Sequence, residues 1–204
     1  METDRYAAKM KKIGILGGTF DPVHNAHLDL AQAALDQYGL DVVLFVPTGM
    51  PVRKLGKTQA GAQDRLSMLR AACENKEGFE VSSMEVDRPG VTYTIDTLRE
   101  LKALYRNESR LYLILGEDTA TDLATWKDAR ELAALAGVLY AKRPGGSRES
   151  RLPEGFTCSE LLMEVCDISS SGVRELLQKG SDVSNFVPTR VSDYIEEHGL
   201  YGRS

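Results

Sequence analysis

The chain has little cysteine, histidine or tryptophan: its 204 residues hold three, three and one of them. Cys73, Cys158 and Cys166 are odd in number and widely separated, which argues against a disulfide framework and suits a reducing compartment. None of them forms a Cys-x-x-Cys pair. His24 and His27 could share a metal, but the third histidine, His198, stands near the far end of the sequence, so no metal site is expected. No apolar stretch approaches the ~20 residues of a transmembrane helix. The polar segment Met1–Lys12 has no apolar core, so no signal peptide is expected and the setting reads as cytoplasmic. There is no excess of positive charge. A formal net charge of −5 argues against nucleic acid as a partner, and a polyanionic substrate would need a local basic cluster.

What is present suits a globular domain: 42% hydrophobic and 27% charged residues. The length predicts a single domain over 12–204 with a flexible N-terminal extension over 1–11, and Met10 is an alternative start. Nothing in the sequence sets the oligomeric state, and a homo-oligomer is compatible with it. Strands are expected at Ile13–Leu16, Val42–Val46, Phe79–Val86, Leu111–Leu115 and Val138–Ala141. Helices are expected at Leu28–Leu35, Asp64–Cys73, Thr94–Tyr105, Trp126–Ala136, Gly172–Gln178 and Pro188–Glu197. Gly49–Gln63 and Pro144–Pro153 read as loops, the latter mobile. This alternation predicts an α/β fold: a Rossmann-like, doubly wound parallel sheet with helices on both faces. Ligands bind such sheets at the carboxyl ends of strands, near the switch in strand order.

The most informative stretch, Gly17-Gly18-Thr19-Phe20-Asp21-Pro22-Val23-His24-Asn25-Ala26-His27, joins the first strand to the first helix. Backbone N–H groups and a helix dipole meet at such a junction, and glycine lets a phosphate come close. His24 and His27, three residues apart, share one face of the first helical turn. The spacing fits neither G-x-G-x-x-G nor the P-loop. A second candidate anion site is the serine-capped helix start Ile168-Ser169-Ser170-Ser171-Gly172-Val173-Arg174, for which an ordinary cap with a solvated arginine is the alternative.

The first stretch resembles the GxFxPxHxGH motif of the nucleotidyltransferase superfamily, with Ala26 at a glycine position. The second resembles its ISSTxIR motif, with Ser171 and Val173 as conservative departures. Further segments resemble the nicotinate mononucleotide adenylyltransferases: Val46–Lys54 their VPTGxPPHK loop, Arg88–Leu98 their RxGxSYTxDTL, and Gly116–Asp118 with Trp126 their GxDxxxxxxxW. Val52 and Arg53 replace a proline and a histidine of that loop. Pantetheine-phosphate adenylyltransferases share the first motif but lack the Tyr-Thr-x-Asp-Thr segment. A non-catalytic nucleotide sensor on the same fold is the reading from another class.

The resemblance implies transfer of an adenylyl group from ATP to nicotinate mononucleotide, giving deamido-NAD and pyrophosphate, with Mg²⁺ carried on the triphosphate. It implies ATP contacts at Gly17, Gly18, Thr19, Phe20, His24, His27, Ile168, Ser169, Ser170 and Arg174. Of these, His24, His27 and Arg174 would be catalytic. It implies mononucleotide contacts at Thr48, Arg53, Lys54, Thr92, Thr94, Asp118, Trp126 and Lys127.

Overall fold

The computed structural model describes residues 10–51, 59–106, 108–142, 152–163 and 168–202. Arg53, Lys54, Cys166 and nearly all of the loop expected over Pro144–Pro153 lie outside the described residues, as do residues 1–9 of the expected N-terminal extension. The chain runs β1 (Lys11–Gly18), α1 (Asn25–Tyr38), β2 (Val42–Pro47), β3 (Met50–Pro51), α2 (Ala62–Cys73), β4 (Phe79–Val81), α3 (Met84–Asp87) and β5 (Val91–Thr92). It continues through α4 (Thr94–Leu104), β6 (Ser109–Gly116), α5 (Glu117–Thr121), α6 (Ala129–Leu135), β7 (Ala136–Ala141), β8 (Cys158–Leu161), α7 (Ser170–Gln178) and α8 (Thr189–Glu197).

Six strands form one all-parallel sheet in the order β4-β2-β1-β6-β7-β8, and β3 pairs with β5 in a separate two-stranded ribbon. Both faces are covered because apolar side chains occupy both faces of the central strands. Leu16, Val43, Phe45, Ile114 and Leu139 enter the core shared with α1, α2, α7 and α8. Ile13, Ile15, Val42, Leu44, Leu113 and Val138 enter the other, shared with α4 and α6. Strand side chains alternate between faces, so a continuous apolar run marks burial on both. From β1 the chain winds outward through β2 to β4, then returns beside β1 as β6 and winds the other way. The reversal falls between β1 and β6, and their carboxyl ends, Gly18 and Gly116, border the crevice this leaves.

Three expectations need correction. Phe79–Val86 is strand only to Val81. Ser82 Oγ accepts the Met84 N–H at 3.4 Å and Ser83 Oγ donates to Asp87 Oδ2 at 2.6 Å, so serine turn chemistry wins over strand pairing. The helix expected from Trp126 starts at Ala129, because Asp128 is left-handed with φ 54° and a short 3₁₀ turn, Leu123–Thr125, precedes it. Helix α5 and strand β8 were not expected. β8 is a short edge strand, only Leu161 of which is fully buried, and it shows no clear period.

Candidate active site

Gly17 and Gly18 end β1 as strand residues, paired with Val46 and Pro47 of β2. The turn itself is made by Phe20, which adopts φ 50° with its ring in the core. Gly17 stands on the wall of a cleft of about 400 Å³, with no atom of the described residues within 4 Å of an added Cβ. That is room a side chain would fill and a phosphate can use.

The loop is then pinned from several directions. Asp21, 2% exposed, precedes a cis proline. Its carboxylate accepts the Gln59 N–H (2.9 Å), the Ala60 N–H (3.0 Å) and the Tyr201 hydroxyl (2.7 Å). Its carbonyl accepts Arg174 Nη1 at 2.7 Å, and the Pro22 carbonyl accepts the Ser170 hydroxyl at 2.9 Å. The two halves of the expected ATP site, far apart in sequence, are thus bonded to each other. Ser169 caps α7 by accepting the Gly172 N–H at 3.1 Å, and Ile168 packs against the core.

His24 is the residue before α1 and His27 its third. Their rings stack with centroids 3.7 Å apart and planes at 29°. The His24 N–H donates to His27 Nδ1 at 3.2 Å, which puts the proton of a neutral His27 ring on Nε2. His24 is 6% exposed, and burial lowers its pKa to about 4. Its Nδ1 is buried with no hydrogen-bond partner among the described residues. Ala26 lies inside α1 and not among the residues of positive φ, so alanine fits there without strain.

The other half of the cleft is lined by Thr48, Thr92, Thr94, Trp126 and Lys127. No side chain of the described residues caps α4, whose first residues, Thr94 and Ile95, line the cleft. Trp126 is half-buried against the core. Lys127 Nζ lies 4.3 Å from the Tyr93 ring centroid and 3.5 Å from Asp96 Oδ2, so its charge is partly answered on the protein. Asp118 is exposed on α5 and does not line the cleft, where Thr119 stands instead. Among the described residues no three of His, Cys, Asp and Glu are grouped to hold a metal ion, and the nearby Asp21 carboxylate is already engaged.

Residues 15–176 match the sequence profile of the cytidylyltransferase-like family. A probable nicotinate-nucleotide adenylyltransferase of Dehalococcoides mccartyi is 42% identical over 94% of this chain and 98% of its own length. Its counterpart in Desulfitobacterium hafniense is 37% identical over 95% and 97%. The chain belongs to the nicotinate-nucleotide adenylyltransferase family. The fold of this adenylyltransferase also matches a solved structure, the Plasmodium falciparum nicotinic acid mononucleotide adenylyltransferase complexed with NaAD. The TM-score is 0.77 at 22% identity, over 94% of this chain and 97% of that one.

Two buried charged groups of the adenylyltransferase escaped the sequence reading. Arg65, 1% exposed, donates to the Thr19 carbonyl at 2.7 Å and the Gly49 carbonyl at 3.2 Å. Glu85 lines the cleft and accepts the Thr97 hydroxyl at 2.6 Å. Burial raises its pKa, and the Thr97 bond pulls the other way. Arg65 had a signal: Arg65, Met68, Leu69 and Ala72 form an i, i+3, i+4, i+7 stripe, the face α2 buries.

Burial of His24 makes stability depend on pH. The unfolded chain takes up this proton near pH 6.5, the folded adenylyltransferase only near pH 4. The folded pKa of this base is depressed, so its stabilisation is whole above pH 6.5 and is lost as pH falls towards 4. One such site removes about 2 kcal/mol between pH 7 and pH 5. Urea titrations of wild type and His24→Asn at both pH values test this. The wild type should lose about 2 kcal/mol more than the variant, and equal losses would show that His24 protonates freely in the fold.

Proposed function

We propose that the protein transfers the adenylyl group of ATP to nicotinate mononucleotide, giving deamido-NAD and pyrophosphate, in the cytoplasm. One observation carries this reading. A single cleft has the β1 phosphate loop at one end and the uncapped N-terminus of α4 at the other. The first suits a phosphate, the second the ring carboxylate of nicotinate, since a helix N-terminus presents N–H groups and positive dipole to an anion.

The mononucleotide 5′-phosphate attacks the α-phosphorus of ATP in line. A new P–O bond forms, the α–β bridging P–O bond breaks, and pyrophosphate leaves with the electron pair. A phosphate monoester is ionised above its second pKa of about 6, so the nucleophile needs no base. Catalysis then rests on placement and on donors to the developing charge. His24, kept neutral by burial, and His27, with its proton on Nε2, donate near the α- and β-phosphates without repelling each other at 3.7 Å. Backbone N–H groups of 17–20 serve the same phosphates, and Ser170 and Arg174 those beyond. Mg²⁺ would enter as part of the ATP substrate, where phosphate oxygens and water would hold it. Trp126 flanks the nicotinate ring, and Arg53 and Lys54 serve the mononucleotide phosphate.

Pyrophosphate release with nicotinate mononucleotide, nicotinamide mononucleotide and pantetheine phosphate, side by side, tests the function. The nicotinate form should be preferred over the nicotinamide form at least tenfold in kcat/KM, about 1.4 kcal/mol. An amide NH₂ facing the α4 N–H groups sets donor against donor, and a buried mispaired donor costs about 1–3 kcal/mol. Equal kcat/KM would show that the ring pocket is not built for a carboxylate. Binding of both substrates without turnover would make the chain a sensor.

Arg174→Ala should raise KM for ATP and leave mononucleotide binding in the absence of ATP nearly unchanged. Arg174 already holds the Asp21 carbonyl, so some stability should go with it. Calorimetry with equal ATP affinity in variant and wild type would remove Arg174 from the triphosphate site.

A further inference from the structure

Arg65 is the largest of the fully buried side chains. Burying a guanidinium is costly, and an apolar residue of similar volume would fill the space in α2 more cheaply. No described carboxylate accepts a hydrogen bond from it, although Asp21 is close enough to favour its charge. Nη1 and Nη2 each donate to a backbone carbonyl, from two different loops, and Nε is buried with no partner among the described residues. Thr19 belongs to the loop after β1 and Gly49 to the turn after β2. Thr19 and Thr48, the neighbour of Gly49, both line the cleft. Gly49 has no freedom on its other side, because a Cβ there would collide with the Glu85 carbonyl oxygen. Higher up, Thr48 ties the same two loops, its N–H donating to the Gly18 carbonyl at 2.9 Å and its hydroxyl at 3.2 Å.

The geometry points to Arg65 as a positioning residue that sets the separation of the two loops bordering the cleft, by holding the Thr19 and Gly49 carbonyls on one rigid planar fork. This rests on the proposed function, in which the first loop holds the phosphates of ATP and the second approaches that of the mononucleotide. Each substrate meets mainly its own loop. The gap between loops matters only when both are bound, or when the joined product spans them. In a reaction run by placement, a displacement of about 1 Å costs on the order of 10²-fold in rate. A guanidinium is suited to the task, because its donors diverge at a fixed angle whereas an ammonium is a compact point charge.

Arg65→Lys tests this, since it keeps the charge and most of the volume but not the fork. On the folded variant, Kd for ATP and for nicotinate mononucleotide, each alone, should stay within about threefold of wild type. Kd for deamido-NAD should rise at least about tenfold, and kcat should fall by about 30-fold or more. A variant that binds deamido-NAD as wild type does overturns the proposal. So does a parallel weakening of all three ligands, which would mark a merely structural arginine. If Arg65→Lys does not fold, Arg65→Met, which fills a similar volume without a donor, tests the same link, with the same split expected and the same results overturning it. Wild-type turnover is the control. Its absence overturns the functional reading and this proposal with it, whereas normal wild-type turnover with an unaffected variant overturns this proposal alone.

Discussion

Replacing His24 by alanine is expected to lower kcat by about 10²-fold or more while affinity for the mononucleotide barely moves. The expectation follows from the state of the ring more than from its presence in a motif. Two protonated imidazoles stacked at 3.7 Å would repel each other. Burial removes that problem by keeping His24 neutral down to about pH 4. A neutral ring still has one N–H to give. A donor held ready in a dry site needs no reorganisation as charge builds on the α-phosphate. Its loss therefore falls on the transition state and not on ground-state binding. Steady-state pyrophosphate release, with circular dichroism to confirm folding, decides it. A folded His24→Ala protein with near-wild-type kcat would take His24 out of the mechanism.

The largest effect on stability is expected at Asp21. Asp21→Ala strips the acceptor from two backbone N–H groups and the Tyr201 hydroxyl at once, and of these donors the Ala60 N–H and the Tyr201 hydroxyl are buried. Each buried donor left unpaired costs about 1–3 kcal/mol, so a total of about 3–5 kcal/mol is expected. Tyr201→Phe removes one partner only and should cost about 1 kcal/mol. The order Asp21→Ala, then Asp21→Asn, then Tyr201→Phe should appear in urea midpoints. An Asp21→Ala protein within 1 kcal/mol of wild type would mean that these bonds are replaced from elsewhere.

Much of the framework was legible in the sequence because its signals are local. Val42-Val43-Leu44-Phe45-Val46 reads as a strand buried on both faces, and Ile95, Leu98 and Leu101 mark the inner side of α4. The spacing of His24 and His27 put both on one helical turn, but not their stacking or the neutral state that burial enforces. The glycines were expected to make the turn after β1. Instead they finish the strand, and the left-handed backbone falls on Phe20, whose ring is held by the core. Asp118 matched a motif and still lies outside the cleft, because α5 turns Thr119 inward. The pairing of Asp21 with Tyr201 left no trace in any window of sequence, since nothing local marks a partner 180 residues away.

That separation also sets an order of events. A ribosome adding about 5–20 residues per second needs roughly ten to forty seconds to travel from Asp21 to Tyr201. Throughout that interval the loop after β1 has been made, with His24 and His27 in place along the chain, but the Asp21 carboxylate lacks its hydroxyl partner. Helix α7, with Ser170 and Arg174, also arrives late. Nascent chains stalled anywhere in between carry the most recognisable motif of the family without a finished site around it. Nucleotide binding by such chains would therefore appear only near the end of synthesis, as a step and not a gradient.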